Sequence, residues 1–539
     1  MAYSRRQFIR LGGAAAAVGA ASAALPGAAP LAARPALRWS ARLSSQMPEP
    51  DLAALLLNRA AFGPRPGELE HARDIGPASW IEEQLDYEAI DDSALEEELH
   101  ARLQTLSMTP GQLLSYSQNM QGLPTQEMIL ATLYRMTYSP RMLYEAMVEF
   151  WNDHFSIYVE SNDARYLKPV DDREVARKHA LGTFKDLLTA SAQSPAMLNY
   201  LDNDQNRVRS VNENYGREIM ELHSLGVAVD GYPYSEQDVK EVALCFTGWG
   251  VSRDQRNPAR YGRFEYNDAQ HDQTSKRVLG NDIGAGMKQL DGHMVIDILV
   301  QHEATARYIA TKLIRRFVTD DPAGQVPALL DRVADTFQRT SGDLRETVRA
   351  ILRSTEFAQS FGQFGGRLSR PVDLVVRQLR VTGVPRESFP IAVRDGGIYN
   401  KLNAVLSAMG HRPFYWETPD GYPDVKEAWS SSTTMLWRWN FGLALSGNGE
   451  RGGRLGQRLI EGFTPDMAAG VPATFANAGT AADYWITRLL QRPMAPADRT
   501  LVVDYLTDGG SESAPFDQVK ARVPNMIALI LDSPYFQWR

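Results

Sequence analysis

The residues best suited to binding a cation lie in a loop between two predicted helices, over positions 202–213. Oxygen-bearing side chains occupy positions 1, 3, 5, 9 and 12 of this stretch: Asp202, Asp204, Asn206, Ser210 and Glu213. Hard oxygen donors at these positions are typical of a helix–loop–helix calcium site. Arg207 stands at position 6, where such a loop takes glycine, so an acidic loop that caps the next helix is the alternative. The spacing predicts a site for calcium or another divalent metal.

A pair of carboxylates, Glu218 and Glu221, follows on the helix predicted over 214–225. At 100° per residue they share one stripe with Arg217 and can converge on one site. Paired carboxylates of this kind suit acid–base hydrolysis. The alternative is a solvated face laced by i,i+4 ion pairs. His223 falls on the opposite side and is predicted to be a hydrogen-bonded histidine at the edge of the core.

Histidines next to carboxylates form the third constellation. Asp153-His154 and His271-Asp272 would supply imidazoles and carboxylates for a transition metal or for acid–base work if folding brings them together. For His154, core packing among the neighbouring aromatic residues is the alternative. The sequence holds no HExxH motif, so spacing assigns no zinc site. The candidate catalytic residues are Glu218, Glu221, His154, His271 and Asp272.

Other chemistries lack a signal. The sequence holds no G-x-S-x-G motif and neither a phosphate-loop nor a dinucleotide glycine pattern. The single cysteine, Cys245, rules out an intrachain disulfide and lies in an apolar run typical of an inert buried thiol. A net charge of −8 gives no electrostatic basis for binding nucleic acid or an anionic membrane. Tryptophans and tyrosines over 413–439 could cap a cleft or stack on sugar rings, with core packing as the alternative.

The elements that must position these residues are helical. Apolar residues recur at helical spacing from residue 50 onward, and strand-length β-branched runs are scarce. Residues 251–292 hold short extended pieces with Gly and Asp turns and predict a small irregular or β-hairpin insertion. We therefore expect a mainly α fold, a multi-helix globular bundle over 50–539, with a subdivision near residue 385 as an option. Residues 34–49 read as a linker.

Two pairs of segments in the C-terminal half are similar in sequence. Residues 308–316 parallel 484–492, and residues 350–357 parallel 529–536, at nearly the same offset. Paired matches of this kind predict a duplicated helical hairpin.

The N-terminus carries an export signal. Ser4 to Arg10 matches the twin-arginine motif, and a weakly apolar Ala/Gly-rich run follows. That run is too short to anchor the chain in a membrane. We expect a signal peptide over 1–33, export of the folded protein to the periplasm or the exterior, and no membrane span in the mature chain.

Several strings then occur together in one order. They include FWNDHF at 150–155, NENYGREIMELHSLGV at 212–227, HDQTSKRVLG at 271–280 and DGYPD at 420–424. In this combination the chain resembles the bacterial family catalogued as domain of unknown function 1800, over roughly residues 50–538. The resemblance implies an exported, largely helical protein and carries no established reaction.

These patterns support two functional hypotheses. The first is an exported metal-assisted or carboxylate-dependent hydrolase, whose cleft is walled by the 202–221 segment, His154 and the His271-Asp272 loop. The second is a non-catalytic binding or assembly protein of the cell envelope, in which the acidic stripe forms internal ion pairs. Burial distinguishes them, because two carboxylates in a deep pocket beside His271 favour the enzyme and a dispersed solvated set favours the binding protein.

Overall fold

The structure is a computed structural model that describes residues 47–116, 122–227, 234–393, 397–447, 459–460 and 463–539. The predicted signal peptide over 1–33 lies outside these residues. Within them the chain is helical apart from two small antiparallel sheets, which confirms the mainly α prediction. Among the described helices, none is long and apolar enough to cross a bilayer.

Twelve α-helices precede the strands in the described part of the chain. They are α1 (Leu52–Arg59), α2 (Glu68–Ile75), α3 (Pro77–Leu85), α4 (Ser93–Arg102), α5 (Pro110–Tyr116), α6 (Leu123–Tyr138), α7 (Met142–His154), α8 (Ala164–Asp171), α9 (Phe184–Ala192), α10 (Pro195–Tyr200), α11 (Asn214–Glu221) and α12 (Glu236–Cys245). A short π-helical turn, Asp172–Arg177, continues α8. Local caps fix several helix starts: the Asp51 carboxylate accepts the Ala54 N–H, and Ser235 forms a capping box with Asp238.

Four three-residue strands follow. β1 (Trp249–Val251) pairs with β2 (Phe264–Tyr266), and β3 (Lys276–Val278) pairs with β4 (Asn281–Ile283). Both pairs are antiparallel, and neither sheet adds a third strand in the described residues. Their position overlaps the predicted insertion, whose bounds of 251–292 stay a prediction.

The second half of the described chain is helical again. It contains α13 (Leu290–Gln301), α14 (Glu303–Phe317), α15 (Pro322–Gln325), α16 (Pro327–Arg339), α17 (Leu344–Leu352), α18 (Thr355–Phe364), α19 (Pro371–Thr382), α20 (Ile398–Ala408), α21 (Ser432–Leu445), α22 (Ala478–Leu490), α23 (Pro496–Thr507), α24 (Phe516–Val519), α25 (Val523–Asp532) and α26 (Pro534–Gln537). In the segments of similar sequence, α14 packs against α16 and α17, and α22 packs against α23 and α25. The duplication itself stays a prediction, as does the subdivision near residue 385.

One large cluster of buried apolar side chains draws on helices from α1 to α26. A separate small cluster joins Leu368, Tyr422 and Trp429. Helix α7 is buried on most of its surface, and α14 buries Ile309, Leu313 and Phe317. Burial of these two helices in the same core fixes the positions of the polar residues they carry.

Helix α11 is shorter than the periodicity predicts. It ends at Glu221 instead of Leu225, because the N–H groups of Leu222 and His223 both bond to the Glu218 carbonyl. His223 therefore lies beyond the helix, and its direction does not follow from a 100° step per residue.

Candidate functional site

The donors that converge in this structure are Glu149, Asp153 and His411. Helix α7 carries the two carboxylates one turn apart on one face, and the loop after α20 supplies the imidazole. One ligand atom from each of the three lies within 4.8 Å of the others. Among groups of three or more His, Cys, Asp and Glu in the described residues, this set alone meets that distance limit. We call it the cleft cluster.

Arginines bond to one oxygen of each carboxylate in the cleft cluster. Arg370, just before α19, donates to Asp153 Oδ2 at 2.9 Å and to Glu149 Oε2 at 2.6 Å. Arg316 on α14 lies 3.1 Å from the same Glu149 oxygen. Asp373 anchors both arginines at 3.1 Å. The second oxygen of each carboxylate accepts no hydrogen bond from the described part of the protein.

The carboxylates of the cleft cluster remain open to solvent, whereas its imidazole does not. The Glu149 and Asp153 side chains keep 11% and 23% of their surface. Burial, and then the Glu149 charge, raise the pKa of Asp153 well above its ordinary value, and Arg370 opposes them. His411 is buried, and Nδ1 finds no hydrogen-bond partner in the described protein. Burial lowers the pKa of His411, which keeps the imidazole in the neutral form that binds metals.

The DGYPD loop closes over the end of α7. Gly421 adopts a left-handed φ of 77°, and a Cβ at this position would collide with the Asp153 carbonyl oxygen. Glycine is therefore required for the loop to approach the helix this closely. Burial alone would raise the pKa of Asp424, but Arg367 and two further arginines lower it to about 2. The FWNDHF and DGYPD strings, far apart in sequence, thus form one site.

Aromatic side chains flank His411. Its ring stacks on Trp429, with centroids 4.9 Å apart and planes 17° apart, and lies 4.2 Å from Tyr422. Trp416 and Trp429 line an adjacent groove of 330 Å³. The residues of the cleft cluster line neither this groove nor a second pocket of 380 Å³, in which Lys185 and Asp297 neutralise each other at 2.5 Å.

Comparison with known protein families agrees with the resemblance indicated by the sequence strings. The model of the family described as "Protein of unknown function (DUF1800)" matches residues 55–538, nearly the whole chain. The chain belongs to the DUF1800 family. No curated protein and no solved structure matches it. The predicted resemblance is confirmed, and the chemistry of this DUF1800 member has to be argued from its own residues.

In this DUF1800 chain, the predicted calcium loop has one of its five donors, Asn206, engaged within the fold. The buried Asn206 amide donates to Asn203 Oδ1 and to the Ala243 carbonyl, and its oxygen accepts the Asn212 N–H at 2.9 Å. Its side chain therefore holds the loop onto α12. The calcium site stays a prediction, with one of its five donors already used by the backbone.

The remaining loop donors are spread apart. Asp204 lies 3.1 Å from Arg253, and Glu213 lies 3.8 Å from Arg217. Asp202 is partly exposed and Ser210 is exposed. In the described residues these carboxylates do not join a group of three converging metal-binding side chains.

The two glutamates of α11 have different surroundings. Glu221 lies 3.5 Å from Arg217, which also forms a two-bond pair with Glu236. Glu218 is half-buried, and burial followed by the charges of Glu221 and Asp420 raises its pKa. Glu218 thus lies near the DGYPD loop, whereas Glu221 belongs to an ion-pair network at the surface.

His271 and Asp272 lie in a separate network that we call the hairpin cluster. His271 Nε2 is 3.1 Å from Asp291 Oδ2, and Lys276 Nζ is 2.5 Å from the same oxygen. His271 Nδ1 donates to the Thr247 carbonyl at 2.7 Å. Asp272 lies 3.3 Å from Lys276. This network ties β3 to α13 and to the turn after α12. The predicted meeting of His271 with Glu218, Glu221 or His154 is not among its contacts.

His154 points away from the cleft cluster although it follows Asp153. Its Nε2 donates to the His223 carbonyl at 3.1 Å, and both rings are buried. Burial, with a smaller effect of Lys312, lowers the pKa of His223 to about 3. The expectation of a hydrogen-bonded His223 at the core edge is wrong, because the ring is fully buried and neither nitrogen has a partner in the described protein.

Sequence reasoning identified part of the cleft cluster. It singled out Asp153 with His154, but missed Glu149, His411 and Arg370. The i,i+4 spacing of Glu149 and Asp153 within one helix was the available signal. No spacing could reveal His411, because a loop far along the chain brings it to α7.

Proposed function

We propose that this protein is an exported hydrolase in which Glu149, Asp153 and His411 bind a divalent metal ion that activates water. The convergence of two partly exposed carboxylates and one neutral imidazole carries the proposal. The sequence favoured Glu218, Glu221 and His271 for this role. The proposed site uses the same types of side chain at other positions.

The donor set favours zinc or manganese over calcium. Imidazole nitrogen suits borderline transition metals, whereas calcium takes six to eight oxygens. Three protein ligands would leave a coordination position for water, and a bound metal lowers the pKa of that water toward about 7. The unpartnered Nδ1 of the buried His411 supports this assignment, because buried polar atoms are rarely left without a partner.

The arginines would act as an outer shell. Arg370 and Arg316 fix one oxygen of each carboxylate and so restrict the positions of both side chains. The Trp416–Trp429 groove beside His411 offers space for the part of the substrate next to the scissile bond.

Metal analysis tests the proposal. Protein folded in the cytoplasm and purified without chelator should hold about one zinc or manganese ion per chain by elemental mass spectrometry. Glu149→Gln and His411→Ala should lose the ion, and Glu221→Gln, the matched carboxylate control, should keep it. If the protein holds no stoichiometric metal and its melting temperature is unchanged in EDTA, the proposal is overturned. The hypothesis of a non-catalytic binding protein then replaces it.

Export is supported by the twin-arginine motif at the N-terminus, since that pathway carries folded, cofactor-loaded proteins. Cell fractionation tests it. The wild-type chain should appear outside the cytoplasm, and the Arg5→Lys, Arg6→Lys variant should be retained. Equal export of both chains would contradict the proposal.

A further inference from the structure

Lys312, on the helix that also carries Arg316, forms no ion pair with a carboxylate in the described protein. It lies on α14 one turn before Arg316, which contacts Glu149, and one turn after Tyr308. Its ammonium lies 5.6 Å from the centroid of the Tyr308 ring. Within the described protein no carboxylate oxygen lies within 4.0 Å of it. The side chain is half-buried.

The carboxylates whose charges act on Lys312 are each bonded to another donor. They are Asp153, held by Arg370 at 2.9 Å, Asp424, held by Arg367 at 3.0 Å, and Asp420, held by Trp416 at 2.8 Å. The charges of these carboxylates raise the pKa of Lys312 from a distance, but none of the three forms an ion pair with its ammonium.

The two arginines that contact the cleft cluster are already paired. Arg316 and Arg370 both bond to Glu149 and Asp373. A half-buried ammonium that lacks a partner loses hydration without regaining an ion pair, which is unfavourable. Burial accordingly lowers the pKa of Lys312 to about 8, against the opposing effect of the nearby acids.

We propose that Lys312 binds an oxyanion of the substrate, a phosphate, sulfate or carboxylate group, beside the cleft cluster. The inference rests on the proposed hydrolase function and specifies its substrate class as anionic. An oxyanion at this position supplies the missing counter-charge to Lys312.

Amine protection tests the inference at the residue itself. The holoprotein is treated with a small amount of acetic anhydride at pH 8, and acetylation is read by peptide mass spectrometry. Lys185, which pairs with Asp297 outside the cleft, is the matched control. Inorganic phosphate, sulfate or acetate at constant ionic strength should slow acetylation of Lys312 by about tenfold or more and leave Lys185 unchanged.

Calorimetry of variants completes the test. Lys312→Met should weaken binding of the protecting anion about 10- to 100-fold, the loss of one charge-assisted hydrogen bond, while Lys312→Arg retains most of it. The anion that protects best identifies the group. If none of the three protects Lys312, or if Lys312→Met binds them as tightly as wild type, the inference is overturned.

The two proposals fail separately. Metal binding without anion protection of Lys312 would overturn the substrate class and leave the metal-dependent function standing. Protection of Lys312 by an anion in a chain that binds no metal would overturn the metal-dependent function and leave the anion site standing. His411→Ala, which should lack the ion, serves as the reference for anion binding by Lys312 alone.

Discussion

The cleft cluster and the hairpin cluster contain the same kinds of residue in opposite states. In the hairpin cluster the side chains of His271, Lys276 and Asp291 are 0% exposed; His271 and Lys276 both contact Asp291 Oδ2, and Asp291 Oδ1 is buried without a partner in the described protein. In the cleft cluster Glu149 and Asp153 stay partly exposed, and each leaves one oxygen without a protein donor.

The difference shows what separates a structural polar network from a binding site. A sealed network ties elements together, and no ligand from solvent can reach its buried oxygens. A partly exposed one keeps carboxylate oxygens that a ligand can reach. Residue type alone does not distinguish the two, because both clusters combine carboxylates, a histidine and cations.

The largest effect is expected in the hairpin cluster. Asp291→Asn removes the negative charge that pairs with the buried Lys276, so the free energy of unfolding should fall by about 3–5 kcal/mol. Urea unfolding followed by circular dichroism measures it. Asp331→Asn, which breaks the exposed pair with Arg307, is the control and should cost about 1 kcal/mol or less. Equal effects of the two substitutions would show that the hairpin cluster is not a structural network.

In the cleft cluster the expected loss is binding, not stability. His411→Ala removes a ligand and should weaken metal affinity about 100-fold or more, about 3 kcal/mol of binding free energy. Competition with a fluorescent zinc chelator measures it. Asp291→Asn, assayed at a temperature where it stays folded, should retain the affinity. The contrast between the clusters fails if the two variants lose metal alike.

The buried His223 ring predicts acid sensitivity near the cleft. Its folded pKa of about 3 lies below the ordinary value of about 6.5, so the unfolded state binds the extra proton between these pH values. The free energy of unfolding should therefore fall by about 2 kcal/mol from this group as pH drops from 6.5 to 5. Urea unfolding across this range measures the slope.

His223→Leu should remove that contribution and flatten the slope, because leucine carries no proton. His71→Gln, at an exposed position paired with Glu83, should leave the slope as in wild type. A slope unchanged by His223→Leu would mean that the ring is protonated in the folded protein.

The smallest effect is expected for the glutamates of α11. Glu218→Gln and Glu221→Gln should each change stability by about 0.5 kcal/mol or less and leave metal content unchanged, since neither belongs to the cleft cluster. Thermal unfolding and elemental analysis measure both. Loss of metal in either variant would move the site toward the residues favoured by the sequence.

Helix positions could be predicted from sequence because their causes are local. Asp51 and Ser235 cap helices through N–H groups three residues away, and apolar spacing within a few turns sets the buried face. The end of α11 was misjudged because the choice between continuing the helix and turning at Leu222 depends on packing, not on spacing.

The cleft cluster was only partly predictable for the same physical reason. Within α7, Glu149 and Asp153 share a face by helix geometry, while a 100° step sends His154 toward the His223 carbonyl. Asn206 has the chemistry of a metal ligand, yet tertiary contacts use its amide and oxygen to hold a loop.

The sequence by itself determined the helical class, the family and the donor types that the protein carries. The tertiary structure alone decided which donors meet. His411, Arg370 and Gly421 reach α7 through packing of segments distant in the chain. Helix formation depends on neighbours a few positions away, whereas burial and convergence depend on how remote elements pack.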